Sequence, residues 1–169
     1  MVLIDGRIDE KERELLTSFH KIWNLNVDID EIANSSKELS FIELRNSVTD
    51  YIAYKPPLEQ VSEVKGLLET IANIDDNVSD EESFIFQEIY GVFNDYLNGD
   101  ADLPVYEVLI APQNTDQQDM LEHLLPTFTK VTDKGGVSYR VGEYYSRAFA
   151  QMMCRKYRSM NIFTAIEQA

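Results

Sequence analysis

Nine carboxylates stand in two copies of one short pattern, and five of them are candidates for holding a cation. Ile4-Asp5-Gly6-Arg7-Ile8-Asp9-Glu10-Lys11-Glu12 is followed, 70 positions on, by Ile74-Asp75-Asp76-Asn77-Val78-Ser79-Asp80-Glu81-Glu82. Asp5, Asp75 and Asp76 fall just before a helix start in their copies, and Glu12 and Glu82 just inside one. Carboxylate oxygens are the ligands that the hard cations Ca²⁺ and Mg²⁺ prefer. If the two turns converge as a pseudo-symmetric pair, these five residues form one cation site. Capping explains part of the same pattern. Asp9 or Ser79 can accept hydrogen bonds from the free amides of a helix start, and the Glu three places on can reach back. Acidic side chains there are also favoured by the helix dipole.

Other chemistry finds little material. The chain has no Gly-rich phosphate loop, and its single Cys154 excludes an intrachain disulfide and argues against a Cys-based zinc site. His20 and His123 fall in different expected domains, and Cys154 lies on an inward helix face where a thiol is inert. The expectation is a protein that is not an enzyme.

The elements that must position these residues follow from periodicity. Apolar residues at helical spacing predict helices over 10–24, 41–54, 58–73 and 80–97, and Asp28 or Asp30 caps a short helix through Ala33. Inward positions are Leu15, Leu16, Phe19, Ile22 and Trp23, then Phe41, Leu44, Val48, Tyr51 and Ile52. They continue with Leu58, Val61, Val64, Leu67, Leu68 and Ile71, and with a broad stripe from Phe84 to Leu97. Ser40-Phe41-Ile42-Glu43 is a further capping box, Pro56-Pro57 is a stop, and Asn98-Gly99 ends the last helix.

After Pro104 the texture changes to strands over 105–111, 128–132, 137–144 and 162–166, with helices over 116–125 and 146–158. The order is β-α-β-β-α-β, the split βαβ arrangement of ferredoxin-like sandwiches. The chain is thus expected to be α+β, an all-helical domain over 1–99, a linker over 100–104 and a small sandwich over 105–169. Charge breaks at the same place. Residues 1–103 carry 23 acidic and 8 basic side chains, and residues 104–169 carry 7 of each, for a net charge of −15. Such a field repels nucleic acid and anionic lipid and suits cations or a basic protein. No apolar run approaches the ~18 residues of a membrane span, and no signal peptide opens the chain, so the expected location is cytoplasmic.

In the sandwich, Val108, Ile110, Tyr139 and Val141 are expected to face the helices, which leaves Glu107, Leu109 and Arg140 on the open face. Glu107 and Arg140 can then pair across neighbouring strands, on a platform for a peptide or another subunit. Arg155, Lys156 and Arg158 form a basic cluster on the last helix that suits acidic segments, those of a partner or of the chain's own N-terminal half. A protein partner is the expected ligand, and the oligomeric state stays open.

Two resemblances accompany these readings. The run apolar-Asp-Gly-x-Ile-x-x-x-Glu opening an amphipathic helix, Ile4 to Glu12, resembles the TerB-like domains of bacterial tellurite-resistance proteins. The second copy carries Asp76 where that family usually has Gly. The resemblance covers about residues 1–100 and implies a helical bundle with an acidic, metal-associated surface at the two turns and a link to stress. Tyr139-Arg140-Val141-Gly142-Glu143-Tyr144-Tyr145-Ser146-Arg147-Ala148-Phe149-Ala150 resembles the strand-turn-helix of SPOR domains. That family commonly binds glycan-stripped peptidoglycan. Its usual Gln-Val-Gly-x-Phe is replaced here by Leu109-Ile110-Ala111-Pro112. The fold is carried over rather than the ligand. Together these imply a non-catalytic scaffold, with peptidoglycan binding as the alternative.

Overall fold

A computed structural model describes residues 8, 10–36, 39–74, 79–99, 103–124, 128–133 and 136–169. The chain is α+β and divides into two compact units, Met1–Ala101 and Asp102–Ala169. Among the described residues no helix is long and apolar enough to cross a membrane.

The first unit is helical: α1 (Glu10–Ile22), α2 (Ile29–Ser36), α3 (Phe41–Ala53), α4 (Leu58–Ile74) and α5 (Asp80–Asn98). Local chemistry sets its helix ends. Asn24 takes a left-handed φ of 49° after α1, a conformation that Asn tolerates and that closes a helix. Asp28 starts α2, its Oδ1 accepting the amides of Asp30 at 2.8 Å and Glu31 at 3.4 Å. Ser40 and Glu43 form a reciprocal capping box on α3, and Ser79 and Glu82 form another on α5. His20 Nε2 accepts the Val27 amide at 3.3 Å, which gives that imidazole a structural task.

The core of this unit runs between α4 and α5, where Val61, Ile71, Ile85, Ile89, Val92 and Phe93 are buried. Phe41 of α3 meets Phe84 of α5 edge-on at 5.2 Å, and Tyr96 Oη donates to the Pro56 carbonyl at 2.7 Å. α1 and α3 bury none of their expected inward residues completely, and two expected core residues are exposed outright. Ile22 is 76 % exposed and Leu58 is 56 % exposed. α1 buries no residue: it touches α4, its Phe19 and Trp23 rings pack on each other at 4.6 Å, and Ile22 lies beyond that contact at the helix's last position. Leu58 is the first residue of α4.

The second unit runs β1 (Tyr106–Ala111), α6 (Thr115–Leu124), β2 (Thr129–Asp133), β3 (Gly136–Tyr144), α7 (Arg147–Arg158) and β4 (Phe163–Gln168). Its four strands pair antiparallel in the order β2-β3-β1-β4. Ile110 pairs with Tyr139 and Tyr106 with Tyr144, so period-2 alternation puts both tyrosines on the face of Val108. Tyr139 Oη donates to Glu122 of α6, and the Tyr144 ring stacks on Phe149 of α7 at 5.5 Å. Both helices therefore lie on that one face. Phe149, Ala150, Met153, Cys154 and Tyr157 bury the inner side of α7.

A register shift between Val108 and Leu109 changes the expected pattern. It leaves Val141 out of the pairing with β1 and sets Gly142 opposite Val108. Gly142 and Tyr144, rather than Val141, thus continue the helix-side face beyond Tyr139. A Cβ on Gly142 would stand 2.6 Å from Tyr144 Oη, so the tyrosine ring folds over the glycine. Leu109 also departs from expectation, being only 8 % exposed on the supposedly open face. Its cross-strand neighbours are Arg140 on one side and Ala165 on the other, and a long arginine stem covers apolar surface beside it.

Candidate functional site

The acidic turns can be followed in part. Glu82 is committed to its helix start, its Oε2 accepting the Ser79 amide at 2.8 Å and lying 2.9 Å from Ser79 Oγ. Glu12 lies in the first turn of α1. Asp5, Asp75 and Asp76 lie outside the described residues. Among the described residues no group of three or more His, Cys, Asp or Glu is placed to hold a metal ion.

The sheet face opposite α6 and α7 gathers charge. Glu107 on β1 sits opposite Glu143 on β3 and Glu167 on β4, so three carboxylates cross the sheet in one row. Like charges directly opposite one another destabilise a sheet. Arg140 answers two of them: its Nη2 lies 3.0 Å from Glu107 Oε2 and its Nη1 3.5 Å from Glu143 Oε1. The sequence-predicted pair Glu107 and Arg140 is thus brought together, whereas Leu109 is withdrawn from solvent. Glu143 enters through the register shift, which strict alternation along β3 does not give, and Glu167 through the pairing of β4 with β1. Arg140 Nε is buried without a hydrogen-bond partner.

A second polar group ties α6 to the sheet. Glu122 Oε1 accepts from Tyr139 Oη at 2.7 Å, Lys130 Nζ at 3.1 Å and Gln118 Nε2 at 3.1 Å. The tyrosine hydroxyl first, then the amide and the ammonium, hold the Glu122 carboxyl down to about 2. Burial first, and then this carboxylate, push the Tyr139 hydroxyl up. No sequence motif marks this group, because its members come from α6, β2 and β3.

The third group lies where α7 ends beside β4. Ser146 begins α7 by accepting the Phe149 amide at 3.3 Å, which sets the helix phase and turns Ala150, Met153, Cys154 and Tyr157 inward. That phase leaves Arg155, Lys156 and Arg158 exposed in the last turn, where cations offset the helix dipole. Arg158 is fixed: Nε donates to Thr164 Oγ1 at 2.7 Å and Nη2 to the Thr164 carbonyl at 3.3 Å. Gln151, Cys154, Arg155, Arg158 and Ile166 line a cavity of about 430 Å³. Cys154 is 2 % exposed there, with its Sγ 3.9 Å from the Ala165 carbonyl. The basic cluster was legible in sequence; Gln151, Thr164 and Ile166 join it only through the packing of α7 on β4.

Chemically, these groups offer charge: carboxylates along one sheet face and cations at the end of α7. No family model matches the chain, and no curated protein or solved structure matches it.

Proposed function

We propose that this protein is a non-catalytic binding or scaffold component built from a TerB-like helical unit and a ferredoxin-like, SPOR-like α+β unit. It acts in the cytoplasm, within a stress-linked or envelope-linked bacterial assembly. The observation that carries this reading is the apolar surface of the helical unit. α1 buries no residue, and Ile22 at 76 %, Leu25 at 41 % and Val27 at 46 % exposure follow one another in a short stretch. Apolar residues scattered singly over a surface are ordinary, whereas neighbouring ones mark interaction sites. The test is capture of a partner with the whole chain, followed by titration of the two purified proteins. Saturable binding at a fixed stoichiometry, with neither protein chemically changed, is expected. Turnover of a bound small molecule by the chain alone would overturn the reading.

Asp5, Asp75 and Asp76, with Glu12 and Glu82, are the residues through which Ca²⁺ or Mg²⁺ would modulate such binding. Calorimetric titration of the folded chain tests that part, and a flat trace at millimolar metal removes it. The second reading, binding of glycan-stripped peptidoglycan by the α+β unit, is favoured by the strand order β2-β3-β1-β4 with both helices on one face, which leaves the other for a ligand. Retention of the chain on stripped cell walls would select it over the first.

A further inference from the structure

β4 closes one side of the sheet, and among the described residues no strand lies beyond it. One contact fixes which of its backbone groups face outward. The Ala169 amide donates to the Val105 carbonyl at 3.0 Å. In an antiparallel ladder, successive residues alternate between pairing with the neighbour and pointing away from it. Phe163, Ala165 and Glu167 therefore pair with β1, while the N–H and C=O of Thr164, Ile166 and Gln168 point to the open edge. The bond from Arg158 to the Thr164 carbonyl agrees with that phase, since it reaches the carbonyl from outside. Sheet edges left this way are templates for another strand unless they are blunted. Arg158 covers one end of this edge and leaves Ile166 and Gln168.

The chemistry beside the edge selects what would add there. Arg155 and Arg158 of α7 and Ile166 of β4 line the same cavity. The chain carries 30 acidic residues, yet none of Arg155, Lys156 and Arg158 is ion-paired to a carboxylate among the described residues. Arg158 is held in place by Thr164, so its guanidinium is already ordered before any ligand arrives. A ligand that pairs with the outward N–H and C=O groups must itself carry alternating donors and acceptors, which a peptide backbone does and a phosphate polymer does not. The net charge of −15 also repels long polyanions, whereas a short segment meets mainly the local cations.

We propose that an acidic segment of a partner protein binds in extended conformation along β4, adding a fifth strand to the sheet. Alternate carboxylates of that segment turn toward α7 and meet Arg155 and Arg158; the exposed Phe163 flanks the strand's start on the opposite face. This site rests on the binding reading above and names its partner chemistry.

The experiment uses the whole chain and a fluorescein-labelled peptide of alternating Glu and Val, about eight residues long, the span of a typical strand with its flanks. Fluorescence anisotropy should show saturable binding that weakens as NaCl is raised. Arg155→Glu should weaken it by about tenfold or more, because the cation that meets the carboxylate is reversed. The same peptide N-methylated on alternate amides should not bind in the register that needs those amides, a result that does not depend on how any protein variant folds. No binding by the folded chain, equal binding of the N-methylated forms, equal binding of a Lys-Val peptide, or indifference to Arg155→Glu each overturns the site. A dimer of the chain that the peptide does not dissociate, mapped to β4 by hydrogen exchange, would overturn it as well. Failure here is distinct from failure of the binding reading: a captured partner that R155E still binds leaves that reading standing and removes this site.

Discussion

Glu88 and Arg45 offer the sharpest test of what holds the helical unit together. Glu88 is fully buried on α5, Arg45 of α3 is 19 % exposed, and Arg45 Nε lies 2.6 Å from Glu88 Oε1. A carboxylate taken from water at such a site costs several kcal/mol, which a close cation offsets. Arg45→Met removes that cation while keeping an aliphatic stem, and should cost about 3–5 kcal/mol. That is a large part of the ~5–15 kcal/mol by which domains are stable. Arg45→Met with Glu88→Met removes the charge as well, so the double variant should be more stable than Arg45→Met alone, because a buried ion pair replaced by apolar groups is often neutral or better. The assay is urea unfolding followed by tryptophan fluorescence; Trp23 is the chain's single Trp and belongs to this unit, so the signal reports it alone. A cost under about 1 kcal/mol for Arg45→Met, or a double variant whose loss is the simple addition of the two single losses, would refute the reasoning.

Three further outcomes are expected. Gly142→Ala places a Cβ against Tyr144, whose ring is buried and stacked on Phe149, and should cost about 1–3 kcal/mol in denaturant unfolding followed by tyrosine near-UV dichroism. Ser79→Ala removes the side-chain acceptor from the start of α5 and should cost about 1 kcal/mol, read by Trp23 fluorescence or amide exchange. Glu122 is held at about 2, below the ~4.3 of an unfolded Glu, so its stabilisation is complete above the unfolded value and is lost as pH falls toward 2. Glu122→Gln should therefore be less stable than the native chain at neutral pH, and the gap should close from about pH 4.3 downward; a gap unchanged at acid pH would contradict the charged hydrogen bonds to Tyr139 and Lys130.

The parts of this molecule that are decided locally could be read from its sequence. Ser40 with Glu43, and Ser79 with Glu82, announce helix starts because a capping box involves residues three apart. The strands followed from alternation and β-branched content, and Glu107 with Arg140 followed from the neighbouring of first and third strands. Decisions made at a distance were not legible. Glu88 reads as one more acidic helix position until Arg45 is brought in from another helix. Ile22 carries the right period for a core residue, yet it is left mostly exposed. The shift at Val108 and Leu109 is one residue long, and that suffices to put Gly142 and Tyr144 on the helix-side face and Glu143 beside Arg140. Thr164 and Arg158 are close in sequence, but their bond depends on where α7 ends relative to β4.

The measurement that bears most directly on the central claim is calorimetric titration of the whole folded chain with its captured, purified partner, joined to product analysis of the same mixture. The expected result is a saturable complex of fixed stoichiometry in which both proteins are recovered unaltered. A chain that forms no such complex, or that consumes a small molecule on its own, would contradict a binding component.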